Sequence, residues 1–217
     1  MVKTNKNISR FLSATLSGGA IGLQSCVSES RYLSNPCLEE RLQQGKPLIV
    51  TIEGVQIPVQ NNCKQFGASL AKEFNIGQSA SVGNWWQHIH YVKEVQEHRG
   101  KIILAGHSAG TDQIRLLAHA FKKTGRINLM IYHDPTYTNL PMASLLKIPS
   151  NVDRVIAFYS DDCLLSGRPL QDRDFEDPKK TSYTNFRIHK ADHWQVVLDP
   201  QVYNYASSEI RRILANK

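Results

Sequence analysis

The pattern that most constrains the fold of this 217-residue chain lies near its middle, at residues 101–110. Four apolar residues, Ile102 to Ala105, run directly into Gly106-His107-Ser108-Ala109-Gly110, which fits the pattern G-x-S-x-G. The residues that follow have the apolar spacing of a helix. A strand, a tight turn and a helix in this order lift one serine out of the end of a sheet, and flanking glycines let the backbone pass where a Cβ would collide. Ser108 is therefore a candidate nucleophile, and a purely structural glycine-rich turn is the alternative.

Alternating strand and helix patterns extend this unit over most of the chain. We predict a domain at 47–217, preceded by a connector at 27–46 with at most one short helix. The segment 76–84 is predicted to be a loop with at most a short strand. Strands separated by helical crossovers indicate an α/β fold with a mostly parallel sheet flanked by helices. His88 and His90 are expected to be surface or partly packed side chains. The predicted strands are 48–52, 102–105, 127–132, 152–159 and 183–189, and the predicted helices begin near 62, 85, 111 and 200.

The composition excludes several classes of protein. Hydrophobic residues make up 41% of the chain and charged residues 21%, which is typical of a globular protein and not of a disordered or collagen-like one. The formal net charge of +7 comes partly from the N-terminus. No run of Lys or Arg is long enough to indicate nucleic-acid binding, so no nucleic-acid partner is expected.

The first 26 residues have the pattern of an export signal. A basic start is followed by an apolar segment, 11–23, that is too short to span a bilayer as a helix. The sequence Leu23-Gln24-Ser25-Cys26 resembles a bacterial lipobox, in which Cys26 would carry a lipid and attach the protein to a membrane. We therefore predict a signal peptide or lipoprotein segment at 1–26 and an exported, periplasmic or membrane-anchored protein. A cytoplasmic protein with an N-terminal arm is the alternative.

The other cysteines are Cys37, Cys63 and Cys163. Cys37 and Cys63 flank the first predicted strand and could form a disulfide in an oxidising compartment, with free buried thiols as the alternative. Because the chain contains no C-x-x-C, the spacing does not indicate a zinc site. We expect no metal and no cofactor.

From Leu48 to the C-terminus, the sequence resembles the α/β-hydrolase superfamily. The resemblance depends on Gly106–Gly110, on the strand end Arg154–Asp162, and on Asp192-His193 after the last predicted strand. It implies a three-layer sandwich in which a serine, an acid and a histidine follow one another along the chain. Its implied activity is that of a serine esterase or lipase.

The resemblance also implies roles for individual residues. His193 is the expected general base, and a surface histidine in a turn is the alternative. Asp162 is the expected acid, with Asp161 and then Asp134 as alternatives. Asp134 could instead serve only in an Asp-Pro turn.

An oxyanion hole needs two backbone N–H groups directed at the developing negative charge. The resemblance implies Ala109 as one donor. The other would come from the loop after the first strand, from Val55 or alternatively Gln56. Glu53 stands where related lipases have a histidine, and this is a departure from their pattern.

The sequence thus predicts a serine hydrolase that cleaves a carboxylic ester or thioester of a small molecule through an acyl-enzyme. A catalytically inactive scaffold with a binding or surface role is the alternative, motivated by Glu53 and by the uncertain acid. A peptidase or transacylase would use the same catalytic residues, so the sequence does not distinguish these activities from that of an esterase. The acyl-chain length and the oligomeric state are open.

Overall fold

In a computed structural model of the protein, six parallel strands form one sheet with the order β2-β1-β3-β4-β5-β6. The structure describes residues 36–54, 62–135, 146–160 and 167–216. These residues belong to one compact unit, Asn35–Lys217. The strands are β1 (Leu48–Glu53), β2 (Gly77–Val82), β3 (Ile102–His107), β4 (Leu129–His133), β5 (Arg154–Tyr159) and β6 (Ser182–Arg187).

Five α-helices of the described residues cover the sheet on its two faces. They are α1 (Pro36–Gln43), α2 (Asn62–Phe74), α3 (Ile89–Glu97), α4 (Gly110–Ala120) and α5 (Pro200–Ala215). The described part of the chain also forms three short 3₁₀ helices, Trp85–His88, Asp172–Asp174 and Gln195–Leu198. The predicted α/β class, with a parallel sheet flanked by helices, is confirmed. None of the helices in the described part of the chain is long and apolar enough to cross a membrane.

Two apolar cores form because successive side chains of a strand point to opposite faces. Leu48 and Val50 of β1 pack in one core, and Ile49 packs in the other. The first core is closed by apolar side chains of α1, α3 and α4, and the second by those of α2 and α5. All six residues of β1 and all six of β3 are buried, which explains why both strands have continuous apolar sequences.

Strand β2 takes up most of the segment 76–84, in which we expected a loop with at most a short strand. β2 is an edge strand, and it pairs with β1 from Leu48↔Gly77 to Glu53↔Val82. Its sequence of Gly, Ser, Ala and Gln offers little apolar surface. Backbone hydrogen bonds to one neighbour hold it, and these depend little on the side chains.

The ends of the other elements agree closely with local sequence signals. Helix α2 covers Asn62–Phe74, and Asp199 caps α5 by accepting a hydrogen bond from Gln201 N at 2.7 Å before Pro200. Helix α1 lies in the range assigned to a connector, and its Leu38 and Leu42 are part of the core. The predicted signal at 1–26, including Cys26, lies outside the described residues, as does Cys163.

Cys63 is a free and fully buried thiol, so the Cys37–Cys63 disulfide that the sequence left open is not formed. Its Sγ lies 3.7 Å from the carbonyl oxygen of Ala105. Burial, together with the nearby Glu53 carboxyl group, raises the pKa of this thiol well above its ordinary value. A thiol held in its neutral form is a small apolar packing group rather than a nucleophile.

His88 is not a surface side chain, and that expectation is corrected here. It is 1% exposed, with Nδ1 2.9 Å from Ser79 Oγ and Nε2 2.7 Å from Ser81 Oγ. Burial lowers the pKa of His88 to about 4. The two serines of β2 satisfy the neutral imidazole, which ties the Trp85–His88 turn to the sheet edge.

This burial predicts a pH-dependent stability. The unfolded chain binds a proton at His88 below about pH 6.5, whereas the folded chain does not until about pH 4, so stability falls as the pH drops through this window. Between pH 7.5 and 5, the unfolding free energy of a His88→Gln variant should fall by about 2 kcal/mol less than that of the wild type. Urea unfolding at both pH values measures this difference.

His90→Gln is the matched control, because the His90 side chain is 67% exposed. It should lose as much stability on acidification as the wild type. An equal loss in the His88→Gln and His90→Gln variants would show that His88 is not held neutral.

Candidate active site

The turn between β3 and α4 has the geometry predicted from G-x-S-x-G. Ser108 has a φ of 55°, in the left-handed region, and its N–H donates to the carbonyl oxygen of His133 at 3.0 Å. A Cβ on Gly110 would lie 2.0 Å from the carbonyl oxygen of Ile52, and one on Gly106 would lie 2.6 Å from the carbonyl oxygen of Gly110. The two glycines therefore allow a backbone approach that no larger residue permits. A left-handed residue other than glycine is strained, and such strain is concentrated at functional sites.

His193 and Asp134 form a close polar contact in the site. His193 Nδ1 lies 2.5 Å from Asp134 Oδ2, and both side chains are at most 3% exposed. The carboxylate accepts, so Nδ1 carries the proton in this contact and Nε2 is left as the basic nitrogen of the ring. This is the tautomer that a general base requires.

Asp134 is held firmly by its surroundings. Its Oδ1 accepts hydrogen bonds from the N–H of Ser160 at 2.9 Å and from the N–H of Gly167 at 2.7 Å. Its own N–H donates to the carbonyl oxygen of Phe158 at 2.7 Å, and its φ is 44°. With Oδ1 occupied by two backbone donors, Oδ2 is directed at His193.

The sheet register brings Asp134 beside Ser108. β3 and β4 pair in parallel with His107 opposite His133, so the next residue of each strand leaves the sheet at the same level. Ser108 and Asp134 are those next residues, and both have a positive φ. His107 also contacts His193, because its Nε2 lies 2.9 Å from the carbonyl oxygen of His193. Asp134, which was the last of the three acids considered from the sequence, thus lies at the same strand end as Ser108 and contacts His193.

His133 lies below this group as an uncharged packing residue. Burial, together with the neighbouring His107, lowers the pKa of His133 to about 3. Its ring packs edge-on against Phe66, with ring centroids 4.5 Å apart, and stacks with Phe158 at 6.0 Å. An imidazole that stays neutral at all ordinary pH values supports the turn without exchanging protons in the reaction.

Glu53 has a partner that the sequence did not indicate. It is 3% exposed, its Oε1 makes a close contact with His107 Nδ1, and its Oε2 accepts a hydrogen bond from Cys63 N at 2.9 Å. The residue that departs from the lipase pattern is therefore one half of a buried pair. A signal was present in the sequence, since Glu53 ends a strand of apolar residues and an unpaired buried acid is costly.

The loop after β1 approaches the first predicted oxyanion donor. A Cβ on Gly54 would lie 2.9 Å from Ala109 N and 3.0 Å from Ser108 Cβ, so this loop packs directly against the turn. Val55 and Gln56, the alternatives for the second donor, lie outside the described residues. The predicted acid Asp162 and its alternative Asp161 also lie outside them, whereas Asp134 contacts His193.

The described ranges, with their gaps at 55–61, 136–145 and 161–166, contain no group of three or more His, Cys, Asp or Glu side chains that could hold a metal ion. Asp192, next to His193, is exposed and accepts hydrogen bonds from the N–H groups of Trp194 at 2.9 Å and Gln195 at 2.8 Å. Its role is to shape the turn that carries His193.

No protein-family model matches the chain, and no curated protein has a significantly similar sequence. Among solved structures, Est1E from Butyrivibrio proteoclasticus matches with a TM-score of 0.51 and 12% identity, over 79% of this chain and 89% of that chain. A lipase-esterase related protein from Clostridium acetobutylicum ATCC 824 matches with a TM-score of 0.46 and 14% identity, over 79% of this chain and 96% of that one. The likeness to Est1E is one of fold.

Proposed function

The chain has the α/β-hydrolase fold, and on that premise we propose that it is a serine hydrolase that cleaves a carboxylic ester or thioester through an acyl-enzyme. The observation that carries the proposal is the 2.5 Å contact between His193 Nδ1 and Asp134 Oδ2. His193 lies in a turn that is hydrogen-bonded, through its own carbonyl oxygen, to His107, the residue before Ser108. A buried acid that fixes the tautomer of a histidine beside a strained serine is the arrangement of nucleophilic catalysis.

In the first half of the reaction, Ser108 Oγ attacks the carbonyl carbon of the substrate while His193 Nε2 takes the hydroxyl proton. Asp134 stabilises the imidazolium that forms, without becoming protonated itself. The tetrahedral intermediate then breaks the bond to the alcohol or thiol, which leaves with the proton from His193. The acyl group remains on Ser108 as an ester.

In the second half, a water molecule replaces the alcohol. His193 Nε2 takes one proton from the water as its oxygen attacks the acyl carbon, and returns that proton to Ser108 Oγ when the acid is released. The enzyme regains its starting state, so neither a cofactor nor a metal takes part in the proposed reaction.

The negative oxygen of both tetrahedral intermediates requires fixed donors. We assign one to the N–H of Ala109, at the beginning of α4, where the helix dipole also favours negative charge. The second would come from the loop that follows Gly54, from Val55 or Gln56. The close approach of Gly54 to Ala109 N supports this assignment, because both donors must point at one oxygen.

For the acid, we propose Asp134 in place of Asp162, which the sequence favoured. The support is the direct contact with His193 and the two backbone donors that orient the carboxylate. Asp162 and Asp161 follow β5, one strand further from Ser108 in the sheet.

A fluorophosphonate probe tests the proposal directly, because it labels only a serine that is activated as a nucleophile. The wild type should be labelled and the Ser108→Ala variant should not. Hydrolysis of p-nitrophenyl esters of increasing chain length would then define the acyl group. Absence of labelling above the Ser108→Ala level would refute the hydrolase and favour an inactive scaffold.

The inactive scaffold was motivated by Glu53 in the oxyanion loop. The pairing of Glu53 with His107 weakens that argument, because the carboxyl group contacts the His107 ring beneath the turn that carries Ser108. No described contact favours the scaffold over the enzyme.

A further inference from the structure

We propose that Glu53 and His107 are a buried positioning pair that holds the backbone of His193 and so fixes the catalytic base beside Ser108. The inference rests on the proposed function and concerns residues that contact neither the substrate nor the reacting atoms. Its basis is a chain of hydrogen bonds that runs from the end of β1, through the residue before Ser108, to the turn that carries His193.

The first link is between His107 and the His193 turn. His107 Nε2 donates to the carbonyl oxygen of His193 at 2.9 Å, and the two ring centroids are 4.7 Å apart. A carbonyl oxygen can only accept, so the proton of this bond belongs to His107 Nε2. The His107 side chain is fully buried and its Nε2 is occupied, so His107 acts through His193 and not on the substrate.

The second link is between His107 and Glu53. Glu53 Oε1 contacts His107 Nδ1, and one proton lies between these atoms because both would otherwise present lone pairs. The pair therefore has no net charge, whichever atom holds that proton. Glu53 Oε2 accepts from Cys63 N at 2.9 Å, so the carboxyl group is also tied to the first turn of α2.

The His193 turn needs such anchors because it belongs to no helix or strand. Three carbonyl oxygens of this turn accept hydrogen bonds from side chains elsewhere in the fold. Ser160 Oγ donates to Ala191 O at 2.5 Å, and Asn62 Nδ2 donates to Trp194 O at 3.2 Å. His107 donates to the carbonyl oxygen of His193 itself, and it does so from the position adjacent to Ser108.

The geometry allows variants that separate this role from general stability. A glutamine at 107 places its amide nitrogen near the position of Nε2, so His107→Gln keeps a donor for His193 O. An asparagine places its amide near Nδ1, so His107→Asn keeps a group facing Glu53 and loses that donor. Glu53→Gln keeps both contacts, because its amide donates to His107 Nδ1 and its oxygen accepts from Cys63 N.

We expect His107→Asn to lower kcat on a p-nitrophenyl ester by about 100-fold with KM changed less than threefold, because a small displacement of a catalytic group costs about this much. Glu53→Gln should lose less than about fivefold in kcat, and His107→Gln, which keeps the donor to His193 but loses the contact with Glu53, should fall between these two variants. Urea unfolding of each variant establishes that the folded fraction is the same at the assay temperature.

A second readout does not depend on turnover. The Nδ1 proton of His193, held against Asp134, should give a downfield NMR signal that disappears in Asp134→Asn. This signal should shift or broaden in His107→Asn and persist in His107→Gln.

The two proposals fail in different ways. Equal kcat and equal NMR spectra for folded His107→Asn and His107→Gln would overturn the positioning pair, even if the wild type is fully active. A wild type without probe labelling or esterase activity would overturn the proposed function. The NMR comparison would then still decide whether His107 holds the His193 turn.

Discussion

Alanine at Ser108 or at His193 is expected to reduce kcat by about 10⁶-fold for the best p-nitrophenyl ester, because either change removes the whole nucleophilic pathway. Without the hydroxyl there is no acyl-enzyme, and without the imidazole the hydroxyl proton has no acceptor. The double variant should be no slower than the single ones, since the two residues act as one unit. Steady-state kinetics of the three variants measures both effects.

Two matched substitutions control this experiment. His189 and Ser182 are both exposed, and they lie near the same end of the chain as His193. His189→Ala and Ser182→Ala should keep activity within about twofold, as expected for changes at exposed side chains. If the losses of Ser108→Ala and His193→Ala multiplied in the double variant, the two residues would be acting in separate steps.

Local patterns predicted the parts of this fold whose causes are local. The strand, turn and helix around Ser108 were predictable because an apolar run, a glycine-flanked turn and the apolar spacing of a helix follow one another within a short stretch of sequence. The beginning of α5 was predictable for the same kind of reason, since Asp199 and Pro200 satisfy and preset the first turn within a few residues. In both places the sequence contains the whole physical argument.

Strand β2 was not predictable because its stabilisation is not in its own side chains. In Gly77–Val82 only Gly77 is buried, the other positions are half-buried or exposed, and the strand is held by backbone pairing with β1. His88 was misjudged for a related reason. The two serines that satisfy its ring lie on that strand, so a segment expected to be mainly a loop gave no sign of the buried histidine.

The choice between Asp134 and Asp162 as the catalytic acid depends on the register of the sheet, which cannot be read from the sequence. Asp134 and Asp162 both follow strands and both precede His193, so their order along the chain fits the family equally well. The pairing of His107 with His133 places Asp134 at the level of Ser108, on the strand next to β3. Sheet order and register are tertiary properties, and only they distinguish the two carboxylates.

Glu53 shows how a local departure can be explained by a distant partner. Read along the chain, an acid in place of a histidine weakened the assignment of a catalytic oxyanion loop. In the fold, that acid contacts His107, 54 positions away, beneath the turn that carries Ser108. A pair of this separation has no periodicity or motif, and for that reason sequence reasoning missed it.

Replacing Asp134 with asparagine is expected to lower kcat by about 10⁴-fold while the protein stays folded. Asp134 Oδ1 accepts from the N–H groups of Ser160 and Gly167, so an asparagine must place its carbonyl oxygen there. Its amide N–H then faces His193 Nδ1 and donates to it, and the ring proton moves to Nε2. In that tautomer Nε2 has no lone pair for the Ser108 proton, so the chemical step slows while substrate binding does not.

The matched controls are Asp162→Asn and Asp161→Asn, which change the same chemical group in the loop after β5. Each should keep kcat within about fivefold if Asp134 is the acid. A loss of 10³-fold or more in Asp162→Asn, together with a small loss in Asp134→Asn, would instead assign the acid to the β5 loop. In that case the 2.5 Å contact of Asp134 with His193 would be a structural one, and the base would have to turn towards Asp162 during the reaction.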